Sequence, residues 1–115
     1  MTFAVRTITR SATGGDIVHR PQRFEVDEVV VGRGSDCDIR LADLAVSLRH
    51  ARIKETGPGR VLVESIGSEP FDSDGKFTSR AELALATTPK LIFGSHVLIL
   101  SASPDSSDVM VDVTR

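Results

Sequence analysis

The chain holds a single cysteine, Cys37, in 115 residues, so it can close no internal disulfide and is not a secreted scaffold stapled by bridges. A reducing, cytoplasmic setting is expected. It also lacks a long apolar run. The longest, LIFGSHVLIL, is broken by Gly94, Ser95 and His96, and the amino-terminal MTFAVRTITRSATGG has no stretch suited to a secretory signal. No membrane contact is expected of this domain. Excess positive charge is missing as well: 14 Lys and Arg stand against 16 Asp and Glu, a formal net charge of −2. That balance argues against nucleic acid, whose binders normally present a basic domain or a dense basic face. Nothing repeats at a fixed period, which excludes a solenoid. The one helix-like window, ALAT near Ala84, is too short to stand without packing.

What is present is enough for one core: 40% of residues are hydrophobic and 26% charged, in a chain of single-domain size. Short apolar or alternating runs recur at 3–8, 22–26, 29–32, 38–41, 50–55, 61–64, 76–78, 81–85, 90–94 and 96–100. Each is closed by glycine, proline, serine or aspartate, the pattern of strands joined by turns. Phe24 and Val26 flank Glu25, and Ala51 and Ile53 alternate with Arg52 and Lys54, so these two strands are expected to bury one face each. The fold class is therefore all-β, a two-sheet sandwich. Loops are expected at 10–16, 56–60 and 65–75, and the domain over 1–102. The polar SPDSSDVMVDVTR, 103–115, is expected to be a flexible tail or linker to a following region, so that the chain is fused to further domains.

The densest motif is VVVGRGSDCDIRLADLAVSLRHARI, from Val29 to Ile53. Its glycines suggest a nucleotide loop, but Gly32-Arg33-Gly34-Ser35 is too short and lacks the lysine followed by a hydroxyl residue that closes a P-loop. A dinucleotide fingerprint would need glycine at Cys37 and a helix after it, whereas DIRLADLAVS reads as strand and loop. The histidines, His19, His50 and His96, are scattered and have no metal-ligand spacing, so neither metal nor cofactor is expected. Cys37 lies between Asp36 and Asp38, whose negative charge should raise its pKa and make it a poor nucleophile. Ser47, Asp43 and His50 hold the residue types of a hydrolase triad, but they crowd one loop with no oxyanion site beside them. No catalytic residue is assigned, and no enzyme is expected.

The same residues suit phosphate binding without chemistry. A guanidinium offers a fork of donors to a phosphate dianion, and a serine hydroxyl with loop N–H groups can complete the cradle. The spacing of Gly32 and Arg33, then DCDIRLAD (36–43), then Val46, Ser47, His50, Ala51 and Ile53 resembles the forkhead-associated (FHA) domain. The resemblance implies an FHA/SMAD-like sandwich of about ten or eleven short strands that recognises phosphothreonine peptides. LIFGSHVLIL is similar to the family's last hairpin, with Gly94 at its turn. Carried over by position, Arg33 would contact the phosphate, Ser47 would hydrogen-bond it, and Arg49 would add charge. His50 would be a buried brace for the Gly32–Arg33 loop, with Asp43 a loop residue and Ile39 in the core.

Three departures qualify the resemblance. Leu48 follows the serine where the family often has a polar or basic residue. In the second peptide loop, Gly67-Ser68-Glu69-Pro70-Phe71, Glu69 falls where a hydroxyl is usual and Pro70 where asparagine binds the peptide backbone; the chain has no asparagine at all. Ser68 or Asp74 would have to substitute. Thr88-Pro89 stands in place of the family's later Gly-Asp turn. The expected function is thus a non-catalytic interaction module whose partner is a phosphothreonine-containing protein or peptide, through Arg33, Ser47, Arg49 and Ser68. The alternative is a divergent scaffold or regulatory domain that no longer needs a phosphorylated partner and presents Leu48, Pro70 and Phe71 as an apolar patch.

Overall fold

The computed structural model of the protein describes residues 2–104 and 106–115. These form thirteen strands: β1 (Thr2–Arg10), β2 (Asp16–Val18), β3 (Gln22–Glu25), β4 (Glu28–Gly32), β5 (Ile39–Arg40), β6 (Ala51–Gly57), β7 (Arg60–Ser65), β8 (Phe71–Ser73), β9 (Lys76–Thr78), β10 (Arg80–Ala84), β11 (Lys90–Phe93), β12 (His96–Ala102) and β13 (Val109–Thr114). One sheet runs β2-β1-β13-β12-β11-β8-β9, with β3 also paired to β1; the other runs β10-β7-β6-β4-β5. The all-β sandwich expected from the sequence is the fold. The helix-like window at Ala84 becomes one 3-10 turn, Leu85–Thr87.

Alternation builds the core. Val29 and Val31 of β4, Ala51 and Ile53 of β6, and Val61 and Val63 of β7 are completely buried, and they meet Phe3, Leu91, Leu98 and Leu100 from the opposite sheet. Arg52 and Lys54 point out to solvent, as the period of two requires. On β3 the expected pair separates. Phe24 packs against the core, but Val26 lies beyond the strand end and is 38% exposed.

The expected tail is corrected. Residues 109–114 form β13, inserted between β1 and β12, parallel to the first and antiparallel to the second. Val109, Val111 and Val113 are buried while Met110, Asp112 and Thr114 are half-exposed, so the segment is amphipathic at strand period and needs the core. Asp112 stands opposite Arg6 and accepts Nε and Nη2 at 2.7 and 2.9 Å, a two-pronged pair across the ladder. Asp105, within the expected tail, and Met1, which opens the expected domain, lie outside the described residues. The hairpin LIFGSHVLIL forms β11 and β12 with Gly94 at its turn, but β13 follows it and completes the sheet.

The expected loop 65–75 is also divided. Phe71 is 1% exposed and starts β8, stacked on Phe93 at 5.6 Å. That leaves a short connection, 66–70, beside three others: 33–38 between β4 and β5, 41–50 between β5 and β6, and the turn 94–95 between β11 and β12.

Candidate functional site

The arginine loop is held by backbone. Arg33 N–H donates to Ser47 O at 2.9 Å, Gly34 N–H to Leu48 O at 3.0 Å, and Leu41 N–H to Gly32 O at 2.8 Å. A Cβ at Gly32 would lie 2.5 Å from Leu48 O, and one at Gly34 would lie 2.7 Å from Asp36 Oδ1 and 2.9 Å from Leu48 O. Neither glycine has a positive φ. Close approach of two loops, rather than backbone handedness, is what requires glycine here. Cys37 Sγ also lies 3.0 Å from Leu48 O and is inward-facing; burial is the first cause raising its pKa and the charge of Asp36 the second. The direction matches the expectation from sequence, although the leading cause is burial rather than the flanking aspartates.

Arg33 is half-buried, with Nε donating to Val46 O at 3.1 Å, which directs the rest of the guanidinium outward. No carboxylate among the described residues pairs with it. Ser47 sits alongside, its N–H donating to His50 Nδ1 at 3.1 Å and its hydroxyl making no hydrogen bond to a described residue. His50 is 4% exposed. With Nδ1 accepting, its proton is on Nε2, which donates to Pro70 O at 2.8 Å, while the ring stands edge-on to Phe93. His50 O accepts Ile66 N–H at 3.0 Å. One side chain and one carbonyl thus join the Ser47 loop to the 66–70 loop.

This geometry dismantles the triad. The His50 nitrogen nearest Ser47 is filled by the backbone N–H, and Asp43 faces away, accepting Ser95 Oγ at 2.7 Å, Ser95 N–H at 2.8 Å and Ala45 N–H at 2.9 Å. Those donors, the Ser95 hydroxyl first, hold the Asp43 carboxyl well below the usual carboxylate range. Asp43 is a staple between the 41–50 loop and the β11–β12 turn, which a plain loop assignment missed.

Charges that are mixed in sequence separate in space. Arg52 pairs with Glu64 at 2.8 Å, and Arg49 lies at the rim 3.8 Å from Asp36. Asp38 accepts Val30 N–H at 2.9 Å. Arg40, opposite Gly32 in the parallel β4–β5 pair, instead reaches over the arginine loop, Nε donating to Arg33 O at 3.3 Å. Arg33 and Arg40 both line a surface cavity of about 440 Å³, together with Ser35, Asp43, Leu44 and Leu48. Sequence reasoning counted Arg40 only as a local charge; its place as the outward residue of a two-residue strand beside the glycines was the available signal.

The second loop is more open. Ser68 and Glu69 are exposed, a Cβ on Gly67 would meet nothing within 4 Å, and the loop is closed at its base by Ser65 Oγ donating to Glu69 O at 2.7 Å. Ser68 makes no hydrogen bond to a described residue. Asp74, expected as an alternative peptide clamp, lies across β8 from the 66–70 loop: it sits at φ 50° in the β8–β9 turn, where its carboxylate accepts Lys90 N–H at 3.0 Å. The expected apolar patch is also corrected, since Phe71 is in the core and leaves Leu48 and Pro70 without it. The Thr88 turn adopts a left-handed φ of 46° without glycine. Of the expected residues, Gly32, Arg33, Ser47 and His50 are brought together, Arg49 borders them, and Ser68 stands on the facing loop.

Residues 29–70, which hold nearly all of this site, match the family model of the FHA domain. That segment is similar to the FHA domain. Solved FHA structures share its fold: that of the CT664 protein from Chlamydia trachomatis superposes with a TM-score of 0.64 at 20% identity, over 90% of this chain and 99% of that one. An FHA structure described for phosphothreonine-dependent interactions gives 0.62 at 21% identity, over 90% and 95%. Mycobacterium tuberculosis EmbR, bound to a low-affinity phosphopeptide, gives 0.59 at 20% identity over 84% of this chain and 23% of EmbR. No curated protein matches the chain. Among the described residues no group of three or more His, Cys, Asp or Glu is placed to hold a metal, and no helix is long and apolar enough to cross a membrane.

Proposed function

We propose that the domain is a non-catalytic module that binds a phosphothreonine-containing segment of a partner protein in the cytoplasm, with the phosphate received by Arg33 and Ser47. The observation that carries this is the state of those two side chains. Arg33 is fixed at Nε by Val46 O and has no carboxylate partner among the described residues, and the Ser47 hydroxyl beside it is uncommitted. A rigid fork and a free hydroxyl on a preformed loop are what a phosphate dianion requires, since little ordering entropy remains to oppose binding. The scaffold alternative would be favoured by an Arg33 tied to Asp36 or Glu69; Asp36 instead faces Arg49. Arg49 adds a rim charge of the weaker, solvent-screened kind, and Ser68 faces the peptide from the second loop.

The test is a fluorescence titration of paired threonine and phosphothreonine peptides from a degenerate library. Phosphorylation should raise affinity, and Arg33→Ala should remove roughly ten- to a hundredfold of it, the range of hydrogen bonds to a charged group. Equal binding of both peptide forms, or a gain that survives Arg33→Ala, would overturn the reading.

A further inference from the structure

The cavity beside the phosphate position holds more cationic charge than one phosphate contact uses. Four arginines lie between residues 33 and 52, and each has a different fate. Arg52 is matched by Glu64 and Arg49 by Asp36, whereas Arg33 and Arg40 have no carboxylate partner among the described residues. Asp43, the one carboxylate lining the same cavity, has both oxygens occupied by Ser95 and Ala45 donors. Each of the two free arginines is anchored by Nε to a backbone carbonyl, at Val46 for Arg33 and at Arg33 itself for Arg40. Both terminal Nη pairs are therefore left to face a ligand. The cavity, about 440 Å³, is also larger than a phosphate group needs.

Two like charges lining one cavity oppose each other until anions arrive. From this we infer that Arg40 is a specificity-determining residue, which reads a second acidic group, a carboxylate or a further phosphate, on a residue near the phosphothreonine in the same peptide. The inference rests on the phosphopeptide reading above and deepens it. Leu44, 90% exposed, and Leu48, 58% exposed, form the lips of the cavity and would cover the peptide chain between the two anions, lowering the local dielectric around them.

The measurement uses phosphothreonine peptides in which each of the flanking positions in turn carries Gln, Glu or phosphoserine, with affinities compared as ratios. In the wild-type domain, Glu at one position should bind roughly two- to fivefold tighter than Gln there, the range of a part-exposed ion pair, and phosphoserine tighter still; if only phosphoserine gains, the second anion is a phosphate. Arg40→Gln should bring the Glu-to-Gln ratio to one, and Arg40→Lys should keep part of it. Thermal melting of each variant verifies the fold. Flat ratios at every position in the wild type, or a ratio unchanged in Arg40→Gln, would overturn the role of Arg40 while leaving the phosphopeptide reading intact. Failure of every peptide to gain from threonine phosphorylation overturns both.

Discussion

The two halves of the loop end are built on different principles. Around Arg33 the loops are pressed together: Gly32 and Gly34 touch Leu48 O so closely that a single methyl would collide, and the N–H groups of Arg33, Gly34 and Leu41 are all bonded across the gap. Around Ser68 the loop is held at its ends, by Ser65, Ile66 and Pro70, and Gly67 faces open space. One half is preformed, while the other keeps conformational freedom. The contrast teaches that in this domain rigidity is concentrated where charge must be aimed, because a guanidinium fork repays its ordering only when its direction is fixed beforehand.

The largest effect that would break this comparison is steric. Gly32→Ala should lower unfolding stability by about 2 to 3 kcal/mol, since two backbone segments must part, whereas Gly67→Ala should stay within about 0.5 kcal/mol. Urea denaturation of the pair measures it, and similar losses would show that the two loops are equally packed.

Next is the link between the halves. His50→Leu should cost about 1 to 3 kcal/mol by leaving Ser47 N–H and Pro70 O without their partner. It should also weaken phosphopeptide binding through Ser47, and amide exchange should rise in both loops together. Exchange rising on one side alone would mean that His50 does not couple them.

A third effect is read by pH. The Asp43 carboxyl is depressed in the folded state, so the stability it contributes is present above its unfolded value, about 3.9, and is lost as pH falls toward the lower folded value. Stability measured from pH 6 down to acid should therefore decline below about pH 4, and more steeply in the wild type than in Asp43→Asn. At neutral pH that variant should be the less stable. Parallel curves would remove Asp43 as a staple of the 41–50 loop.

The smallest effect sharpens the open half. Glu69 is exposed and has no ion-pair partner among the described residues, so Glu69→Gln should tighten phosphopeptide binding by at most about 1 kcal/mol, and less at high salt. A larger gain would place this carboxylate against the phosphate itself.

Much of the molecule was legible in order along the chain. Strict alternation in 51–54 and the apolar run 29–31 located β6 and β4, and the GR, S and H spacing located the side chains that meet at the loop end. What escaped depended on partners distant in sequence. The alternation of Val109, Val111 and Val113 was present but, behind a polar stretch, read as a tail; only the empty place between β1 and β12 makes it a strand. Phe71 read as a loop residue for the same reason, because its partner Phe93 lies on another strand.

By itself, then, the sequence determined the β class, the one core, the absence of a disulfide, and the residue types available for phosphate, since these follow from composition and from local period. Which charges remain free was decided by tertiary structure alone. Asp36, Asp38 and Asp43 are close to Arg33 along the chain, yet a rim arginine, Val30 and Ser95 engage them. Ion pairing depends on distances of a few ångström across folded loops, and only the packing of those loops sets them.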